Sequence, residues 1–266
     1  MKKFVALLLA VLMVASLCAC GQKNTQTDTQ TGSDITTVTA GKLTMSTNAQ
    51  FPPYESVADD GKGYEGTGFE GIDIEIAYAL AQKLGLELVV DDMDFDSALS
   101  AVQTGKSDIV AAGVTVTPER QNTMCFTDSY ANGVQVVIVK EGSDIKTIDD
   151  LEGKQIGTQR GTTGYSYCTD DYGEDSVVAF DDGATAVQNL LAGKVDCVVI
   201  DKAPAQEYVK ANAGLTILDT DYANENYAIG LAKDNTALQE ALNKALAELK
   251  ADGTIQSIID KYIPSK

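Results

Sequence analysis

The chain has 266 residues, 44% of them apolar, with 39 acidic against 20 basic side chains and a formal net charge of −19. So acidic a surface argues against nucleic acid as a partner, because phosphates are repelled. No histidine is present, which removes His-based acid–base, triad and metal chemistry, while the length allows one or two domains with a substantial core.

At the N-terminus, Lys2 and Lys3 precede an apolar stretch from Phe4 to Ala15. It is too short to span a bilayer and has the layout of a secretory leader. The next residues, Leu17-Cys18-Ala19-Cys20-Gly21, are similar to a bacterial lipobox. Residues 1–19 therefore read as a lipoprotein signal peptide. Cys20 becomes the lipidated first residue of the mature chain, held at the cell membrane from outside the cytoplasm without a spanning helix. An ordinary secretory cleavage site is the plainer alternative. Residues 20–38 are nearly all polar, cannot bury a core, and are expected to be a disordered tether.

From Lys42 onward strands and helices alternate, the pattern of a mostly parallel α/β architecture. Lys42 to Thr47 reads as a strand. The stretch from Asn48 to Tyr54 reads as a loop, because Pro52 and Pro53 cannot donate to a ladder. Ile72 to Leu84 is a helix ended by Gly85, Leu86 to Val90 a strand, and Asp96 to Thr104 a helix closed by Gly105. The run Asp91, Asp92, Asp94, Asp96 near Phe95 reads as a solvated loop, with attraction of a cationic ligand as the alternative. Two apolar runs, Val134–Val139 and Tyr227–Ala232, are expected to cross between two lobes. The stripe Leu238, Leu242, Leu246 and Leu249 is core, within a helix to Leu249 followed by another from Ile255 to Tyr262. These borders divide the chain into a first lobe of residues 39–132 plus 228–266 and a second of 133–227.

Three strand ends carry chemistry. Ala111 to Arg120 reads Ala-Ala-Gly-Val-Thr-Val-Thr-Pro-Glu-Arg. Gly113 permits close approach at the end of the strand Ile109–Val110. Thr117 caps a helix that begins at Pro118, and Arg120 offers a planar fork that matches a carboxylate. In Lys154–Gln159, then Arg160-Gly161-Thr162-Thr163-Gly164, a strand and a Gly-containing turn lead into a helix expected from Tyr165. Free amides at such a junction suit an anion, and without a Walker-type Lys-Ser/Thr the modest guest is a carboxylate. Finally, Ala101-Val102-Gln103…Gly105-Lys106-Ser107-Asp108 is echoed by Ala186-Val187-Gln188…Gly193-Lys194-Val195-Asp196. The copies lead to Gly113 and Asp201 respectively. Ligands of open α/β sheets lie at such strand ends, so two lobes facing one cleft are expected. The five cysteines match no zinc or redox spacing. Cys197 reads as a core thiol, with a Cys168–Cys197 bridge left open. No metal or cofactor is implied.

In order along the chain, the lipobox, Asn48-Ala49-Gln50-Phe51-Pro52-Pro53-Tyr54-Glu55, Gly71 to Ala77, Asp94-Phe95-Asp96, Ala112 to Arg120, Phe126 to Tyr130, Gln159 to Gly164 and Asp196 to Asp201 resemble extracellular solute-binding proteins of polar amino acid ABC transporters. The resemblance covers nearly all of Leu43 to Pro264. It implies a two-lobed periplasmic-binding-protein-like fold of type II, with two crossover strands and a ligand cleft between the lobes. By the same resemblance, Arg120, Thr115 and Thr163 hold the α-carboxylate of a free amino acid, and Thr162 is also ligand-binding. Asp201 and the Gly113 carbonyl take the α-ammonium, and Phe51, Phe95, Asn48, Ala112 and Gln159 line the side-chain pocket. Asn48 stands where binders of cationic amino acids often carry an acid, which favours an uncharged polar side chain. The implied partners are permease subunits, and the implied state is a monomer. A dehydratase-like enzyme on the same fold is the alternative, but no cleft acid or base beyond the clamps is evident.

Overall fold

The computed structural model describes residues 35–264; the leader, Cys20 and the segment through residue 34 lie outside the described residues. The first lobe opens with β1 (Lys42–Thr47), then the short strands β2 (Gln50–Phe51), β3 (Glu55–Val57) and β4 (Phe69–Glu70), which form a small antiparallel sheet. Helix α1 (Ile72–Leu84) leads to β5 (Glu87–Asp92), α2 (Phe95–Gln103) to β6 (Ile109–Val110), and α3 (Pro118–Thr123) to β7 (Met124–Phe126). The chain then enters β8 (Ala131–Lys140) and alternates through β9 (Ile156–Gln159), α4 (Thr163–Tyr172), β10 (Val177–Phe180), α5 (Gly183–Leu191), β11 (Cys197–Asp201) and α6 (Lys202–Ala211). Two more strands, β12 (Leu215–Ile217) and β13 (Ala223–Tyr227), complete that half before β14 (Gly230–Ala232), α7 (Thr236–Ala251) and α8 (Thr254–Tyr262).

Two main sheets result, in the orders β5-β1-β6-β14-β7 and β10-β9-β11-β8-β12, with β13 also on β8. Each has a parallel centre: β5, β1 and β6 in the first, β10, β9 and β11 in the second. Strand β14 joins the first sheet antiparallel to β6 and β7, so the chain returns to the half it left. Both helix–strand echoes fold as such: α2 leads to β6 and α5 to β11.

Local signals explain the elements. Gly85 ends α1 with φ 70°, its amide turned back onto the Ala81 and Gln82 carbonyls. The four leucines of α7 are all buried, in one cluster with Leu43, Met45, Ile74 and Leu231. The second lobe is closed by its own clusters, around Ile138, Val198 and Leu190 on one side and Val137, Leu151 and Ile156 on the other.

The structure corrects several expectations. The run Val134–Val139 does not cross between lobes; it lies inside β8, paired with β11 and β12. The crossings are at Thr127–Ala131 and Tyr227–Ile229, tied by Thr127 N–H to the Ile229 carbonyl and Tyr130 N–H to the Tyr227 carbonyl, each at 2.9 Å. Gln50 and Phe51 pair with Ser56 and Glu55 despite the nearby prolines, since neither Pro52 nor Pro53 is itself in the ladder. Asp91 and Asp92 end β5 rather than forming a loop, while Asp96 lies in α2 as the helix expected over Asp96–Thr104 has it, the helix starting one residue earlier at Phe95. Helix α4 starts at Thr163, not Tyr165, because the Thr162 hydroxyl caps it. The ordered part begins before residue 38: Ile35 packs on the first-lobe core and the Val38 amide donates to Asp108 Oδ1 at 2.6 Å. An apolar contact and a buried acceptor hold what composition alone reads as tether. Cys168 and Cys197 are separate buried thiols in one apolar cluster, and Cys125 is free as well.

Candidate functional site

One cavity, with about 460 Å³ of empty space including its open mouth, lies between the two main sheets. Asn48, Phe51, Phe95, Ala112, Gly113, Thr115 and Arg120 line it from the first lobe. Gln159, Thr162, Thr163 and Asp201 line it from the second. Every cavity residue singled out in the sequence is thus brought to one place. Glu55, Gln135, Val199, Ile200 and Tyr227 also line it and were not anticipated. Val199 and Ile200 are simply the apolar run before Asp201. Glu55 had a signal, as an acid inside the Pro-Pro-Tyr-Glu stretch. Gln135 and Tyr227 had none, because only the pairing of β8 with β13 carries them to the cleft.

Arg120 stands one turn into α3. The Thr117 hydroxyl accepts the Arg120 amide at 3.1 Å, which fixes the helix start and with it the side chain's origin. The guanidinium donates to the Thr115 carbonyl at 2.8 Å and, across the cleft, to the Gly161 carbonyl at 3.1 Å. It also lies over the Phe95 ring, 5.4 Å from the centroid. Burial lowers its pKa from the usual value, opposed chiefly by the carboxylate of Glu225. Both partners being carbonyls, no carboxylate lies within 4.0 Å of Arg120 among the described residues.

Asp201 is the last residue of β11 and the cap of α6. Its Oδ1 accepts the Ala203 amide at 3.0 Å and its Oδ2 the Val134 amide at 2.9 Å. It is 3% exposed and has no basic partner within 4.0 Å among the described residues. Burial raises its pKa to about 6; the Tyr227 hydroxyl and the two amides pull the other way.

Between these poles, Thr162 caps α4, and the first amides of that helix have no acceptor within the helix. Gly161 is held against the other lobe: at φ 74° a Cβ built there would sit 1.6 Å from Asp96 Oδ1. Gln159 Nε2 donates to Asn48 Oδ1 at 3.0 Å, and Asn48 Nδ2 donates to the Met93 carbonyl at 3.0 Å. Tyr208 of α6 donates to the Gln50 carbonyl at 2.9 Å. The cleft is therefore closed, with direct bonds from one lobe to the other. No group of His, Cys, Asp and Glu that could hold a metal occurs among the described residues.

A buried cation and a buried anion, set on separate lobes around a closed cavity, define a binding protein for a small dipolar solute. Residues 43–265 match the family model of bacterial extracellular solute-binding proteins, family 3. The chain belongs to that family. It is 36% identical over 230 residues to the ABC transporter arginine-binding protein 1 of Escherichia coli (strain K12), covering 85% of this chain and 92% of that one. It is 31% identical to the arginine-binding extracellular protein ArtP of Bacillus subtilis (strain 168), with 98% of each covered. Among solved structures, an ancestral arginine-binding protein bound to glutamine superposes with a TM-score of 0.79 at 39% identity, over 85% of this chain and 100% of that one. The protein is a substrate-binding receptor of an amino acid ABC importer with the two-lobed type II fold.

Proposed function

We propose that this receptor takes a free, polar, uncharged L-amino acid as its zwitterion. Arg120 receives the α-carboxylate, assisted by Thr115 and by the Thr162–Thr163 end of α4. Asp201 receives the α-ammonium, with the Gly113 carbonyl beside it. The side chain lies among Phe51, Phe95, Ala112, Asn48 and Gln159. The carrying observation is that Arg120 and Asp201 line one cavity, and neither has an oppositely charged group within 4.0 Å among the described residues. A zwitterion supplies both at once, and only with the lobes together, so it favours the closed state. Asn48 rather than a carboxylate at the pocket's side-chain end supports an uncharged side chain. Function is then binding and delivery to permease subunits rather than catalysis, as a monomer with lobes 39–132 plus 228–266 and 133–227. Acylation of Cys20 would keep it at the outer face of the membrane. That acylation is checked by mass spectrometry of the membrane-extracted protein.

Calorimetric titration with the amino acids one by one tests the reading. One or a few uncharged polar amino acids bind tightly and the others weakly. Absence of binding by every amino acid, or unchanged affinity in Arg120→Ala, would overturn it.

A further inference from the structure

The zwitterion site leaves one buried group without a role. Glu55 is fully buried in the cavity wall on β3, and neither carboxyl oxygen has a hydrogen-bond partner. A lone carboxylate in that position would cost several kcal/mol, roughly, in lost hydration. Beside it stands another buried acid. Asp73, 1% exposed in the first turn of α1, donates its amide to the carbonyl of Tyr54, the residue before Glu55, at 2.9 Å, and its Oδ1 likewise has no hydrogen-bond partner. No basic group lies within 4.0 Å of either among the described residues.

The two acids are not equivalent. Asp73 Oδ2 accepts the Gly113 amide at 2.8 Å. The first turn of a helix also favours negative charge there. The Tyr130 hydroxyl faces the same carboxyl, short of full hydrogen-bond geometry. Glu55 has none of these aids. The groups that face it are Asp73 and Asp92, with the Tyr54, Tyr130 and Tyr208 hydroxyls beyond them. Burial and the Asp73 charge both push its proton affinity well above the carboxylate range. Like charges at contact in a dry site do not both ionise.

We infer that Glu55 is a positioning residue held neutral by a proton it shares with Asp73, and that this pair fixes the Gly113 backbone at the ammonium end of the cavity. Gly113 holds φ 54° and has Phe51 against it, where a Cβ would meet the ring at 2.9 Å. Its amide is anchored by Asp73, and Glu55 keeps that anchor in place by donating to it. Glu55 is then no counter-ion for a cationic side chain, although it lines the pocket. The role at the ammonium end rests on the zwitterion reading; the shared proton does not.

Two measurements separate these claims. In the full protein labelled with ¹³C at the glutamate carboxyls, one resonance should stay at the protonated position where the other glutamates have ionised, and be missing in Glu55→Gln. If every glutamate resonance titrates below about pH 6, the shared proton is refuted, whatever the protein binds. Binding is then read with L-glutamine, L-arginine, L-histidine and L-cystine as probes. Glu55→Gln, which keeps a donor toward Asp73, should hold the tightest probe within about threefold of wild type, with the same pH profile from about pH 6 to 8. Glu55→Leu, which cannot donate, should weaken it by more than about tenfold. A tenfold loss in Glu55→Gln would mean that Glu55 acts as an anion, and full affinity in Glu55→Leu would mean that it positions nothing. Either result overturns the inference. If wild type binds none of the four, the zwitterion reading fails for these probes and the resonance alone decides the proton.

Discussion

The two poles of the cavity are built in opposite ways. Arg120 is a long side chain on a short helix of the first lobe, and one of its bonds crosses the cleft to Gly161. Asp201 is a short side chain whose two oxygens are tied to backbone amides of its own lobe, one of them as the cap of α6. The cationic pole therefore depends on closure, whereas the anionic pole is set by the fold of one lobe. On the proposed zwitterion reading, a fixed carboxylate and a reaching guanidinium would let the second lobe orient a ligand while the first completes its coordination. In that respect closure is an electrostatic event as much as a steric one.

The largest break in this comparison is Arg120→Ala. Losing one partner of a buried, hydrogen-bonded charge pair costs about 4 kcal/mol, roughly a thousandfold in affinity. Calorimetry should show binding lost, while circular dichroism shows the fold kept. Asp201→Asn should cost less, about 3 kcal/mol or roughly a hundredfold, because Asn keeps its size and the oxygen that caps α6, although it loses the charge and turns its NH2 toward the Val134 amide. Equal losses in the two variants would contradict the asymmetry.

The next effect concerns closure alone. Gly161→Ala places a methyl against Asp96 and puts a Cβ on a backbone at φ 74°. Affinity should drop about tenfold. Adding Asp96→Gly should recover the steric part, leaving the left-handed strain. Recovery to wild-type affinity would show that the backbone conformation costs nothing.

The smallest effect is pH. Asp201 has its pKa raised to about 6 in the protein, and on the proposed reading a ligand ammonium needs it ionised. Binding then takes up an anionic site above that value and must expel a proton below it. Affinity should be steady near neutrality and fall as pH drops through about 6, approaching tenfold per unit. Asp201→Asn should be flat over that range. The same raised pKa acts oppositely on stability: the folded form of the ligand-free protein holds the proton better than the unfolded one. This contribution is present at acid pH and lost as pH rises through about 6. Thermal melts of the ligand-free protein and of Asp201→Asn check it.

What the sequence determined by itself was everything set by near neighbours. Thr117-Pro118 spells the start of α3, Gly85 the end of α1, the α7 leucines a buried stripe, and the Gly113 and Asp201 strand ends follow from the repeated helix–strand pattern. The ordered motifs also carried the candidate cavity, because each sits at an element end where a few residues decide the geometry. Only the tertiary structure decided which apolar run crosses between lobes. Apolarity reports burial, not which sheet does the burying, and Val134–Val139 turned out to be the centre of the second sheet. Only the fold could seat Gln135, Tyr227 and the Glu55–Asp73 pair, since contacts between residues dozens of positions apart leave no local pattern. The hydroxyl of Thr162 moved the start of α4 back to Thr163, and long-range contacts at Ile35 and Val38 hold residues that composition alone reads as tether. Short-range chemistry is written along the chain, and the proximity that makes a buried charge a binding pole arises only when distant segments pack and exclude water.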